Sequence, residues 1–157
     1  MTRASVEKLV RAYAKQAAPL ERRGSGGPEQ LPAGAAILAL DVEERAQAVV
    51  ATYRALPRNH VGGWGRRIML GLLATTLLKK KLPLDASQLE AMAASCARAV
   101  SPAWGPCDYD AALVKILGGA VVLTKGTQEA LRAIAVRRGK KFAVDRRVSA
   151  ACERLAS

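Results

Sequence analysis

The side chains best suited to metal or nucleophilic chemistry are few: Cys96, Cys107, Cys152 and His60. Four ligands would fill a tetrahedral zinc site, but such sites draw their thiols from close pairs, and these residues are scattered. Cys96 and Cys152 fall on the apolar stripes of predicted helices and read as core residues. Cys107 just precedes a predicted helix start, where a thiolate is stabilised, while the neighbouring Asp108 and Asp110 oppose that effect. It is either a reactive thiol or a plain loop thiol. His60 sits in a predicted loop with no nucleophile or paired carboxylate at a telling spacing, so any histidine-dependent chemistry would rest on it alone. The acids Asp41, Glu43 and Glu44, and Asp108 and Asp110, lie where helices should begin, and capping accounts for them. Gly118-Gly119, Gly126 and Gly139-Lys140 lack the spacing and context of a phosphate loop. The residues therefore predict a non-enzymatic protein with no catalytic set, no metal and no cofactor.

What the sequence does concentrate is positive charge. Twenty-five Lys and Arg against thirteen Asp and Glu leave a net charge of +12. The excess is uneven: residues 57–81 and 125–157 each carry +6, residues 1–56 carry +2, and residues 82–124 carry −2. Arg137, Arg138, Lys140, Lys141, Arg146 and Arg147 fall within eleven positions across a predicted helix–loop–helix junction. Arg66, Arg67, Lys79, Lys80 and Lys81 extend the patch if the fold brings them together. Such a field attracts polyanions and acidic surfaces. Cations paired with phosphates would make binding salt-dependent, but Phe142 is the one aromatic residue near the cluster, which leaves little for base stacking. The expected partner is another protein with an acidic surface; a nucleic acid bound without sequence preference is the alternative.

The elements that must position these charges are helical. Apolar residues make up half of the chain, with one Phe, two Trp and three Tyr, so Ala, Leu, Val and Ile must build the core. Ala is the best helix former and is depleted in strands. Val6, Leu9, Val10, Tyr13, Ala17 and Leu20 recur at three- and four-residue steps, predicting a helix over 2–18 that Pro19 discourages from continuing. Residues 22–35, rich in Gly and Pro, have the composition of a flexible linker. The domain reading follows: an N-terminal helix or arm over 1–20, a linker over 21–37, and a helical domain over 38–157. Asp41 with Glu44 resembles a capping box, and Val42, Ala46, Val49, Val50, Tyr53 and Leu56 stripe the helix it opens, up to Pro57. A helix over 64–80 carries no charge from 68 to 78 and should be surrounded by others. That run is too short to span a bilayer. Asp85 with Gln88 again fits a cap, for a helix to about residue 100. Further helices are expected over about 109–123, 128–138 and 146–156.

The first twenty residues carry charges throughout, and fit an amphipathic helix better than a secretory or transit signal. An odd number of sparse cysteines argues against a disulfide framework and for a reducing compartment such as the cytoplasm.

The expectation is an all-α fold of six or seven helices, stacked as antiparallel hairpins. Residues 77–92 combine an apolar helix end, the Leu82-Pro83-Leu84-Asp85 corner and a second amphipathic helix. In this the chain resembles HEAT-like helical repeat proteins over residues 41–138. The resemblance implies a protein that binds other macromolecules rather than an enzyme. No period recurs at residue level, so a short solenoid and an irregular bundle both stay open. Trp64-Gly65-Arg66 also spells the name of a nucleic-acid-associated domain, but that domain is rich in strands and here the triplet opens a helix; an aromatic staple at the helix start explains it as well.

Overall fold

The computed structural model describes residues 1–19, 27–57, 64–80, 82–85, 87–88, 91–92 and 95. The described elements are helices: α1 (Arg3–Ala17), a 3-10 turn (Pro28–Gln30), α2 (Pro32–Leu38), α3 (Val42–Arg54) and α4 (Trp64–Leu78). No strand occurs among the described residues. The helices expected over 109–123, 128–138 and 146–156 lie outside them.

α1 forms because its ends are satisfied locally and one face is apolar. The Thr2 hydroxyl accepts a hydrogen bond from the Ser5 N–H at 3.2 Å, and Lys15 sits in the last turn, where the helix dipole favours a cation. Val6, Val10, Tyr13 and Ala17 are the buried face. α3 starts in the same way: Asp41 Oδ1 accepts the Glu44 N–H at 2.8 Å, and Glu43 and Glu44 place acids against the positive helix end. The capping box is only half made, however. Instead of returning to the Asp41 N–H, the Glu44 carboxylate meets the Met1 ammonium at 2.8 Å. The reciprocal box appears further on. Asp85 Oδ1 accepts from the Gln88 N–H at 2.8 Å, and Gln88 Oε1 accepts from the Asp85 N–H at 3.0 Å.

One core joins these elements. α3 lies against both α1 and α4, and α1 also touches α4. α3 is the most enclosed, with Ala46 and Ala48 through Tyr53 all buried. Leu70, Leu73, Leu77 and Met92 are fully buried in the same cluster, so the segment after α4 folds back onto it. α4 departs from the expectation of apolar surroundings at Leu72, which stays 36% exposed.

The first helix is no loose arm. Its stripe is sealed into the shared core, and the Tyr13 hydroxyl donates to the Met69 carbonyl of α4 at 2.7 Å. Nor are residues 28–37 of the expected linker irregular. Pro32 occupies the first turn of α2, where a missing N–H costs nothing. The Ala33 N–H donates to Gln16 Oε1 of α1 at 3.0 Å, so one helix caps the next. Gly34 is buried at the closest approach: a Cβ there would run into the Pro28 carbonyl oxygen and stand 3.0 Å from Tyr13 Cε2. Gly34 and Pro28, which suggested flexibility, serve close packing here, and Pro32 starts a helix.

Candidate binding groove between the first and third helices

Burial of the Val6–Val10–Tyr13–Ala17 stripe sets where the charges of α1 must go. At 100° per residue, Lys8, Arg11 and Lys15 fall on the opposite face, and all three are exposed. They form a cationic ridge roughly 10 Å long at 1.5 Å per residue. No acid shares that ridge.

On the flank toward α3, Arg3 and Glu7 are one turn apart, with Arg3 Nε 3.3 Å from Glu7 Oε1. Arg54, in the last turn of α3, brings its Nη1 to 3.8 Å from the same oxygen. One carboxylate thus stands between two guanidinium groups. The Arg54 contact exceeds hydrogen-bond length, so the donors of that fork are not consumed by Glu7. Arg11 makes no ion pair among the described residues.

Two clefts meet at this cluster. One, of about 270 Å³, is lined by Arg3 and Glu7 of α1, by Gln47, Arg54 and the buried Val50 and Ala51 of α3, and by Asp85 and Gln88 of the segment after α4. The second, of about 240 Å³, runs along Glu7, Val10, Arg11, Ala51, Arg54 and Ala55. They share Glu7, Ala51 and Arg54 and so adjoin, and together they are called the groove. Its rim is cationic and its floor is small and apolar. The Asp85–Gln88 box braces one wall. Gln47 contributes a further feature: its Oε1 is buried and has no hydrogen-bond partner among the described residues.

Two groups near this core have shifted proton affinities. Burial first, and then the Glu29 charge, push the Tyr13 hydroxyl well above its ordinary 10.0. A hydrogen bond from the Met1 amine to Glu44, and then the charge of Glu44, raise that amine above 8.0.

The structure separates the basic residues expected to act together. Arg67 is 2% exposed and lies inside, which removes it from any surface patch. Arg66 is half-buried, while Lys79 and Lys80 are exposed beyond the other end of α4, roughly 20 Å away along the axis. Lys81, Arg137, Arg138, Lys140, Lys141, Arg146 and Arg147 lie outside the described residues, as do His60, Cys96, Cys107 and Cys152. Sequence reasoning passed over Lys8, Arg11 and Lys15, although their spacing already placed them on one helix face. The meeting of Arg54 with Arg3 and Glu7 had no local signal.

Among the described residues, no group of three or more His, Cys, Asp or Glu side chains is placed to hold a metal ion, and no helix is long and apolar enough to cross a membrane. No protein-family model, no curated protein and no solved structure matches this chain.

Proposed function

We propose that this chain is a non-enzymatic helical interaction module that docks a protein partner with an acidic surface. The observation that carries the reading is the outward ridge of Lys8, Arg11 and Lys15, beside which α1 offers the one carboxylate of Glu7 at the edge, on a chain of net charge +12. An excess of cations on a rigid helix attracts and orients an anionic partner. The apolar stripe of α1 is already used inside the chain, so docking runs through basic faces rather than through a free amphipathic helix. A stacked, HEAT-like arrangement of further hairpins would suit such a scaffold and belongs to this proposal.

The second reading is a sequence-nonspecific nucleic-acid binder, favoured by the cluster of six cations from Arg137 to Arg147. Anisotropy titrations with a labelled Glu-rich peptide and a labelled RNA duplex, from about 50 to about 200 mM salt, separate the two. Peptide binding that Lys8→Glu/Arg11→Glu/Lys15→Glu abolishes supports the protein reading. Duplex binding lost in Arg137→Glu/Arg138→Glu/Lys141→Glu, with the peptide left free, replaces it.

A further inference from the structure

We infer that the groove between α1 and α3 is a docking site for an acidic peptide segment of the partner protein. In that site Arg3, Arg11 and Arg54 would take side-chain carboxylates and Gln47 a main-chain amide. This inference rests on the acidic-partner reading and gives it an address.

Charge complementarity selects the ligand's sign. Three guanidinium groups line a groove whose wall and rim hold the single carboxylates of Glu7 and Asp85. Arg54 is held in place by Glu7 at 3.8 Å, outside hydrogen-bond range, and its planar fork remains able to take a carboxylate through two donors. Arg3 has a 67% exposed side chain and can pair on its outer side while Glu7 steadies the Nε.

Gln47 selects the ligand's class. A buried carbonyl oxygen without a partner gains by turning out to meet an N–H. A peptide main chain supplies an N–H at nearly every residue; a phosphodiester supplies none. Glu7 and Asp85 add to the choice. A nucleic-acid strand carries a charge at each unit and would press phosphates against both acids, whereas a peptide can place neutral residues opposite them. The floor of Val10, Val50, Ala51 and Ala55 offers room for small apolar side chains between the acidic ones. Two adjoining clefts of about 270 and 240 Å³, with Glu7 and Arg54 common to both, fit successive side chains of a segment laid across them.

The test uses the full chain and three probes: a fluorescein-labelled peptide of alternating Glu and Val, the same peptide with N-methylated main-chain amides, and inorganic polyphosphate as competitor. Arg54→Gln should weaken the first peptide about tenfold and Arg3→Gln/Arg11→Gln by at least as much, tenfold being the effect of one good charged contact. Gln47→Leu should weaken the first peptide and leave the N-methylated one unchanged. Lys79→Gln/Lys80→Gln, which line neither cleft, should change affinity by no more than about twofold, the scale of screened surface charge. Amide resonances of Val10, Ala51 and Ala55 in the unsubstituted chain should shift on titration, which reads occupancy without relying on any variant folding.

Equal losses in the groove variants and in Lys79→Gln/Lys80→Gln, unshifted groove amides, or N-methylated peptide binding as tightly as its parent would overturn the groove assignment while leaving the acidic-partner reading in place. Polyphosphate outcompeting the peptide at matched charge would do the same. Absence of any peptide binding at low salt would remove both.

Discussion

Replacing Gly34 by alanine should destabilise this protein, against the usual sign of that substitution in a helix. Within a helix, Gly→Ala normally stabilises by about 0.5 to 1 kcal/mol, because glycine loses more backbone freedom on folding. Gly34 is buried in α2, and an added Cβ collides with the backbone carbonyl of Pro28 and presses on the Tyr13 ring at 3.0 Å. A backbone atom cannot rotate away as a side chain would. The 3-10 turn or α2 must move, and α2 is tied to α1 through Gln16. Overpacking of this kind costs about 1 to 3 kcal/mol. Setting the propensity gain against the middle of that range leaves a net loss of about 1 to 1.5 kcal/mol. For a chain of this length that corresponds to a fall in melting temperature of roughly 2 to 6 °C. Urea unfolding followed by circular dichroism gives the free energy, and a thermal melt gives the temperature. Exposed Ala36, in the same helix, provides the control: Ala36→Gly should cost about 1 kcal/mol by propensity alone. A Gly34→Ala protein as stable as the parent or more so, with an unchanged urea slope, would refute the close approach of α2 to the Pro28 turn and Tyr13.

Two further outcomes follow from single contacts. Asp41→Ala removes the acceptor for the Glu44 N–H and should cost about 1 kcal/mol in urea unfolding, the usual value of an N-cap. Tyr13 should give stability an alkaline dependence. Its hydroxyl holds its proton above the ordinary 10.0 in the folded chain, so from about that pH the unfolded chain releases a proton that the folded one keeps. Stability then falls as pH rises, by up to about 1.4 kcal/mol per pH unit. Tyr13→Phe should flatten that limb, while costing about 1 kcal/mol at neutral pH for the lost bond to the Met69 carbonyl. An unfolding profile with the same slope above pH 10 in both proteins would exclude Tyr13 as its source.

Local rules carried the reading of the helices far. The Asp41 and Asp85 caps and the Val6–Val10–Tyr13–Ala17 stripe each depend on residues one turn apart, and such neighbours are fixed by helical geometry once the helix exists. The same periodicity left a cationic ridge opposite the stripe, visible in the spacing of Lys8, Arg11 and Lys15. The helical character of α1, α3 and α4 and their boundaries to within about two residues could therefore be had from the order of residues alone, whereas α2 was hidden in a segment with the composition of a linker.

Tertiary contact settled everything that turns on partners distant along the chain. Gly34 looked like part of a linker, and its role in close packing emerges only once Pro28 and Tyr13 surround it. Gln16 became the cap of another helix, and Glu44 left its own helix start for the Met1 amine. Arg67, one of a pair of adjacent arginines expected on a surface, was turned into the interior, while Arg54 was carried to Glu7 across the helix interface. Helical periodicity says which residues share a face. Which face meets which depends on the packing of whole helices, and the groove exists only after that packing is made.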